Sequence, residues 1–179
     1  VFKWSNGTYL ECQDMFRENG IFRDVYITSF AECDFYDIKI KTKKVINNYE
    51  LQIAANFIGK DFIATAMLYD GNRLIEEGKF FNGYLEFSGL DVEEWSAEIP
   101  KLYTLYLIIE KDGSIVSAVR SLTGFKTVSI DDEVFKINGK LVKLLGVNHH
   151  DTHPENGYVM TAEELEYDIQ IMKDFNCNT

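Results

Sequence analysis

The sequence has little positive charge. Its 179 residues include 18 lysines and arginines against 29 aspartates and glutamates, which gives a formal net charge of −11. Nucleic acids and anionic membrane surfaces bind proteins through clustered lysines and arginines. The charge balance therefore argues against both as partners, and its simplest consequence is solubility.

Cysteine and long apolar runs are also scarce. The three cysteines, Cys12, Cys33 and Cys177, lie at wide and irregular spacing, so they form neither a CxxC metal knuckle nor a disulfide framework. Free thiols in a reducing cytoplasm fit this pattern best, and we predict a cytoplasmic location. No run of about 18 apolar residues is present to span a membrane. The first ten residues, VFKWSNGTYL, lack the apolar core of a secretory signal.

Aromatic residues are abundant, with 13 Phe and 10 Tyr beside only 2 Pro, a composition typical of strand-rich globular proteins. Between residues 31 and 125, short stretches alternate apolar and polar residues with the period of two that strands show, as where Ile38 and Ile40 alternate with lysines. Asp-Gly turn signals at residues 70–71 and 112–113 separate such stretches. About seven strands spaced in this way predict an immunoglobulin-like or fibronectin-type β-sandwich, which is usually a spacer or scaffold.

The C-terminal third predicts a strand, a loop and a helix. Leu141 to Val147 is a nearly continuous apolar run, as expected for a strand buried on both faces of a parallel sheet. Thr161 and Glu164 form a capping box at the start of a helix predicted over about residues 162–175. An apolar stripe at helical spacing follows, formed by Leu165, Ile169, Met172 and Phe175. A buried strand, a polar loop and a helix make the first unit of a parallel α/β barrel, whose active site lies at that loop face.

All three histidines lie in the polar loop of residues 148–157, here called the histidine loop, at positions His149, His150 and His153. Three interpretations are open. Imidazole is a common zinc ligand, although the HHxxH spacing differs from the helical HExxH motif. The histidines could instead be solvated turn residues before a helix. We favour substrate contacts at a barrel mouth, where neutral imidazoles exchange hydrogen bonds with hydroxyl groups.

Three blocks of the sequence carry a more specific signal. They are WSNGTYLECQDMFRENGIFRDVYI at residues 4–27, WSAEIPKLYTLYL at residues 95–107, and the stretch from GFKTVSIDD to FNCNT at residues 124–179. All three resemble the β-galactosidases of glycoside hydrolase family 2. In that family a jelly-roll sugar-binding domain precedes an immunoglobulin-like domain, which precedes the (β/α)8 catalytic barrel. The resemblance implies a mainly β chain, an internal fragment of such an enzyme. Residues 1–30 would end the jelly roll, residues 31–125 form the immunoglobulin-like sandwich and residues 126–179 begin the TIM barrel.

The resemblance carries over two site residues. The aspartate of the family's Q-D-M segment, which lies against the galactose 6-hydroxyl and a sodium ion, matches Asp14. The histidine that closes the family's G-V-N-x-H segment and hydrogen-bonds the sugar matches His150. Three positions depart from the family pattern: His149 stands where many members have Arg, and Cys12 and Phe16 stand where Asp and Trp are more common.

The two catalytic glutamates are expected elsewhere. Retaining glycosidases need an acid/base carboxyl and a nucleophile about 5–5.5 Å apart. In the family both lie on later barrel strands, which places them beyond Thr179. Glu155, Glu163 and Glu164 are not substitutes, and the last two suit the N-terminal dipole of a helix. We therefore expect no catalytic residue in this chain, and we expect the chain alone to be inactive.

The resemblance implies a retaining β-galactosidase as the parent protein, acting on terminal β-D-galactosides. It also implies Mg and Na ions as cofactors of the parent, no cofactor in the fragment itself, and a homo-oligomeric parent. A β-glucuronidase of the same family shares the domain order, but the Q-D-M block and the H-x-x-H-P-x-x-G run favour a galactosidase. The other alternative is a non-catalytic β-sandwich module for scaffolding or interaction. Such a module has no reason to continue into a buried strand and a capped helix.

Overall fold

The computed structural model describes Ile21 and residues 23–179, and these residues form two compact units. One unit spans Thr28–Val142, and the other contains Lys143–Thr179 with the described residues before Thr28. The elements are β1 (Asp34–Val45), β2 (Asn48–Ile58), β3 (Ile63–Asp70), β4 (Arg73–Lys79), β5 (Tyr84–Leu90), β6 (Tyr103–Lys111), β7 (Ser114–Thr123), β8 (Val128–Asp131), β9 (Val134–Ile137), β10 (Lys140–Leu141) and α1 (Ala162–Asp174). No helix within the described residues is long and apolar enough to cross a membrane.

Seven strands of the first unit form two antiparallel sheets. One sheet has the strand order β1-β2-β5, and the other has the order β4-β3-β6-β7. The chain therefore changes sheet after β2, after β4 and again after β5, which is the connectivity of immunoglobulin-like and fibronectin-type sandwiches. This architecture confirms the predicted seven-stranded β-sandwich and the mainly β fold class.

The core of the sandwich comes from alternate residues of both sheets. In β2, Tyr49, Leu51 and Ile53 are buried, whereas the residues between them are partly covered. In β6 the same alternation buries Leu105 and Leu107. Successive side chains of a strand point to opposite faces of the sheet, so the period-two pattern determines which residues face inward. Burial of one large apolar side chain contributes about 1.5–3 kcal/mol, and these residues therefore dominate the stability of the unit.

Phe125 is a core residue that the sequence pattern missed. Its side chain is fully buried, and its ring meets those of Tyr49 and Tyr103 edge-on at centroid distances of 5.4 and 5.3 Å. Trp95, by contrast, is half-buried, with Lys126 Nζ 4.2 Å from the centre of its ring. Phe125 lies after the end of β7, so no strand alternation marks it as buried.

The short strands β8 to β10 form a small antiparallel sheet in the same unit. Asn138 links this sheet to the sandwich, because its Oδ1 accepts the Thr127 N–H and its Nδ2 donates to the Trp95 carbonyl, both at 2.9 Å. Asn138 and Gly139 form a turn with φ angles of 50° and 74°, and Asn-Gly is a typical sequence for such turns. A second turn with two positive φ angles, at residues 132–133, was not predicted because its sequence, Asp-Glu, lacks the glycine typical of such turns.

Glu94 provides an acid-sensitive contact in the sandwich. Its carboxylate forms an ion pair with Lys44 and accepts a hydrogen bond from the buried Tyr49 hydroxyl at 3.0 Å. The hydrogen bond from Lys44, and to a lesser degree that from Tyr49, lowers the pKa of Glu94 below its ordinary value of 4.5. Burial and the Glu94 carboxylate in turn raise the pKa of Tyr49.

We predict that the free energy of unfolding depends less steeply on pH in Glu94→Gln than in the wild type at acid pH. A carboxyl with a lowered pKa in the folded chain stabilises the fold above its unfolded pKa, and this contribution is lost as the pH falls through the folded pKa. The affected window therefore starts near pH 4.5 and extends below it. Urea unfolding from neutral pH to about pH 3 measures the slope. The exposed Glu98→Gln control should keep the wild-type slope, and equal slopes in both variants would contradict the assignment.

One prediction about the fold is wrong. The apolar run from Leu141 to Val147 is not a buried strand, because only its first residue belongs to a strand and Leu144 and Val147 are 57% and 54% exposed. A buried parallel strand needs neighbouring strands for its backbone groups and helices over its faces. Within the described residues, the run has only β9 beside Leu141 and Val142 and the short segment 178–179 beside Leu145 and Val147.

Candidate functional site

Helix α1 begins as predicted. Thr161 is its N-cap: the Thr161 hydroxyl accepts the Glu164 N–H at 3.3 Å, and the Glu164 carboxylate accepts the Thr161 N–H at 2.7 Å. These two hydrogen bonds confirm the capping box. The helix ends at Asp174, one residue earlier than predicted, and its apolar stripe is largely uncovered, with Ile169 56% exposed and Phe175 78% exposed.

After α1 the chain returns alongside the segment that precedes the histidine loop. The Asn178 N–H donates to the Leu145 carbonyl at 2.8 Å, and the Val147 N–H donates to the Thr179 carbonyl at 3.3 Å. A side chain at Gly146 would place its Cβ 2.5 Å from the Thr179 carbonyl oxygen, so this close approach requires glycine. A backbone segment, a loop, a helix and a second segment beside the first make the layout of a β/α barrel unit.

His153 organises the turn of the histidine loop. Its Nδ1 accepts the N–H groups of Glu155 and Asn156 at 3.1 and 3.2 Å. Its backbone exchanges two hydrogen bonds with Gly157, which has a φ of 65° that favours glycine. On the other side of the ring, Nε2 lies 3.3 Å from Glu164 Oε1 of α1. The same residue therefore forms the turn and contacts the helix.

His149 makes a second contact with the helix. Its Nε2 lies 3.0 Å from Asp168 Oδ2, and its Nδ1 lies 3.4 Å from Asp151 Oδ1 within the loop. Asp151 has a further charged neighbour, Arg23, at 4.0 Å. A carboxylate accepts hydrogen bonds but does not donate them, so each His149 nitrogen can bond its carboxylate only as a donor.

His150, the predicted substrate contact, is exposed to solvent. Its backbone carbonyl accepts a weak hydrogen bond from the Thr152 hydroxyl at 3.5 Å. Within the described residues, no hydrogen bond or ion pair engages its ring. The other predicted site residue, Asp14, lies outside the described residues. Among the described residues, the rings of His149 and His153 thus contact other side chains of the chain, whereas the ring of His150 faces solvent and can bind a ligand.

Among the described residues, the histidine loop and its neighbours do not form a metal site. The described part of the chain contains no group of three His, Cys, Asp or Glu side chains that could hold a metal ion. His149 and His153 face different carboxylates, so the three imidazoles do not converge. Of the described cysteines, Cys33 is buried and Cys177 is half-buried, and both are free thiols.

Sequence reasoning missed the two helix carboxylates as partners of the loop. The sequence pattern indicates only a helix-start role for Glu164 and gives no role to Asp168. A signal was present, because His149 and His153 are four residues apart, and so are Glu164 and Asp168. Residues four apart on a helix lie on one face, which allows two loop side chains to contact two helix carboxylates.

The sequence matches known glycoside hydrolases. Residues 128–179 match the family described as "Glycosyl hydrolases family 2, TIM barrel domain". A β-galactosidase from Staphylococcus xylosus is 38% identical over an alignment that covers 99% of this chain and 18% of that protein. A β-galactosidase from Lactococcus lactis is 37% identical, with 99% and 18% coverage, and one from Pectobacterium atrosepticum is 34% identical, with 99% and 19% coverage. The chain thus spans less than a fifth of the length of these relatives.

Solved structures give the same class of fold. A β-glucuronidase from Ruminococcus gnavus superimposes with a TM-score of 0.76 at 18% identity, covering 84% of this chain and 26% of that one. A β-glucuronidase from Parabacteroides merdae gives a TM-score of 0.71 at 19% identity, covering 82% and 20%. At this identity the similarity shows the fold alone.

The chain is therefore similar to a segment of multidomain glycoside hydrolases: it has a β-sandwich, followed by a capped-helix unit within the part that matches a TIM barrel domain. The resemblance to the β-galactosidases of glycoside hydrolase family 2, indicated by the three sequence blocks, is confirmed by the curated relatives along the whole chain.

Proposed function

We propose that the chain is an internal part of a retaining β-galactosidase that hydrolyses terminal β-D-galactosides. The observation that supports this proposal is the similarity to β-galactosidases over 99% of the chain at 34–38% identity. In this proposal the sandwich is a scaffold, and the segment from Lys143 to Thr179 forms the first part of the catalytic barrel. The catalytic glutamates lie beyond Thr179, and the 179-residue chain alone has no hydrolase activity.

A β-glucuronidase activity is the second candidate, because the β-glucuronidases of Ruminococcus gnavus and Parabacteroides merdae share the fold. Their sequence identities are only 18% and 19%, about half the identity of the β-galactosidase relatives. A shared sandwich supports a shared architecture but not a shared substrate. The sequence similarity therefore favours galactosides.

Within this function we assign a sugar-binding role to His150. Its ring is exposed and is unengaged within the described residues, and it lies on the loop between a barrel-like segment and its helix, the face where barrel enzymes carry their sites. A neutral imidazole can donate to or accept from a sugar hydroxyl. By resemblance, Asp14 would contribute to a sodium and galactose site, and the parent would use Mg ions and assemble as a homo-oligomer. No ion is assigned to the described residues.

The coding sequence downstream of Thr179 is the first test of the proposed function. We expect it to continue into further strand–helix units that carry two strand-end glutamates, and we expect the complete product to hydrolyse an aryl β-galactoside faster than an aryl β-glucuronide. The same assay on the isolated 179-residue chain should give no turnover. A stop codon directly after Thr179, or a preference for the glucuronide, would overturn the β-galactosidase proposal.

The role of His150 can be tested in the complete product. We predict that His150→Ala lowers kcat/KM for the β-galactoside about 10- to 100-fold, because a polar group of the bound sugar loses its partner. Glu155→Gln is a matched control, since Glu155 is an exposed residue of the same loop. It should stay within about twofold of the wild type. Equal kcat/KM values for the wild type and His150→Ala would remove His150 from the sugar site.

A further inference from the structure

The histidine loop contacts helix α1 at two points. The two histidines are four residues apart, and so are the two helix carboxylates that they contact. His149 Nε2 lies 3.0 Å from Asp168 Oδ2, and His153 Nε2 lies 3.3 Å from Glu164 Oε1. All four side chains are only 25–33% exposed, so these contacts are partly shielded from water. Partial shielding makes such contacts more effective than fully exposed ion pairs. We call this pair of contacts the histidine clasp.

The geometry determines the tautomer of His153. Its Nδ1 accepts two backbone N–H groups, from Glu155 and Asn156, and a ring nitrogen that accepts hydrogen bonds carries no proton. The proton of the neutral ring must therefore reside on Nε2, the nitrogen that faces Glu164. Glu164 uses its other oxygen, Oε2, to accept the Thr161 N–H. One carboxylate thus joins the cap of the helix to the turn of the loop.

His149 lies between two carboxylates. Its Nε2 lies 3.0 Å from Asp168 Oδ2 and its Nδ1 lies 3.4 Å from Asp151 Oδ1, so both ring nitrogens face hydrogen-bond acceptors. Asp151 also lies near Arg23, at 4.0 Å. His149 is therefore bracketed by a carboxylate of its own loop and one of the helix.

We propose that His149 and His153 are positioning residues. Through Asp168 and Glu164 they fasten the histidine loop to α1, so that His150 is the histidine presented to a ligand. The contact with the sugar rests on the proposed β-galactosidase function, whereas the clasp does not.

The clasp is tested by nitrogen-15 NMR and amide hydrogen exchange on the 179-residue chain. We expect His153 to show a non-protonated Nδ1 and a protonated Nε2, because its Nδ1 accepts two backbone N–H groups. In His153→Ala, the amides of Glu155 and Asn156 should exchange roughly fivefold faster or more, because they lose their acceptor. The opposite tautomer at His153, or unchanged exchange of both amides, would overturn the clasp.

Variants of the His149 contact provide a matched set. His149→Ala and Asp168→Ala each remove one of the two contacts between the loop and α1. The amide of Gly157, whose acceptor is the His153 carbonyl of that loop, should then exchange roughly fivefold faster. Glu166→Gln, which changes an exposed carboxylate of the same helix, should leave it unchanged. His149→Arg should restore wild-type exchange, since arginine can donate to Asp168. A failure of arginine to restore protection, or an equal effect of Glu166→Gln, would argue against the contact.

A double-mutant cycle in the complete product tests positioning separately from the proposed function. If His149 acts through His150, His149→Ala lowers kcat/KM for the galactoside about fivefold in the wild type and has no further effect in His150→Ala. Full additivity of the two losses would overturn the positioning role. A His150→Ala variant with wild-type activity would instead refute the sugar contact, while the NMR measurements on the chain would still decide the clasp.

Discussion

Leu107→Ala is expected to lower the free energy of unfolding of the sandwich by about 2–5 kcal/mol, the range for truncation of a buried leucine. Leu107 is fully buried at the centre of β6, opposite Ala66 of β3 and Val119 of β7. Because its strand is hydrogen-bonded on both sides, the backbone cannot collapse into the space that the missing atoms leave. The variant therefore loses both the transfer free energy and the contacts around the cavity.

Urea unfolding of the chain, followed by tryptophan fluorescence, measures this loss as a lower midpoint at an unchanged slope. The matched control is Leu122→Ala in β7, which removes the same atoms from a side chain that is 53% exposed. It should change stability by no more than about 0.5 kcal/mol. If Leu107→Ala abolishes folding, Leu107→Val should give an intermediate loss of about 1 kcal/mol. Equal losses for Leu107→Ala and Leu122→Ala would contradict the position of the core.

The sandwich could be predicted because its signals are local. In β2 the alternation that buries Tyr49, Leu51 and Ile53 is visible within a few residues of sequence. The Asp-Gly turn at residues 112–113 likewise joins β6 to β7 in the structure. Each local preference agrees with the global fold, which is the condition under which sequence patterns are informative. The buried aromatic ring of Phe125 lies outside any strand, so no such pattern was available.

The run from Leu141 to Val147 shows where local reasoning fails. Its composition is that of a buried parallel strand, yet burial depends on neighbours that lie elsewhere in the chain. The hydrogen bonds of Leu145 and Val147 to residues 178–179 could not be read from either segment alone. The apolar composition therefore indicates that the run is suited to burial. Whether it is buried depends on its tertiary contacts.

The candidate site was predictable to a similar extent. The capping box of Thr161 and Glu164 was predicted because both partners lie within one helical turn. The contacts of His149 and His153 with α1 were not predicted, because they span 19 and 11 residues and depend on the path of the loop. Sequence similarity selected His150, and the structure adds that its two histidine neighbours are engaged elsewhere.

Gly59→Ala should be the most damaging glycine substitution in the sandwich, with an expected loss of about 2–4 kcal/mol. Gly59 directly follows β2 and has a φ of 87°, a conformation that costs other residues energy. A Cβ there would overlap the Glu32 carbonyl oxygen and lie 2.7 Å from Sγ of the fully buried Cys33. Neither neighbour is the free end of a flexible side chain, so the backbone itself would have to move.

Gly113→Ala separates the two causes of this loss. Gly113 has a similar φ of 77°, but an added Cβ meets no atom within 4 Å. Its substitution therefore measures the conformational cost alone, about 1 kcal/mol after the gain from a less flexible unfolded chain. The difference between the two variants in urea unfolding then gives the cost of the steric overlap at Gly59. Equal stability losses for Gly59→Ala and Gly113→Ala would mean that the segment around Glu32 and Cys33 can move aside without loss of free energy. The end of β2 would then not be closely packed against that segment.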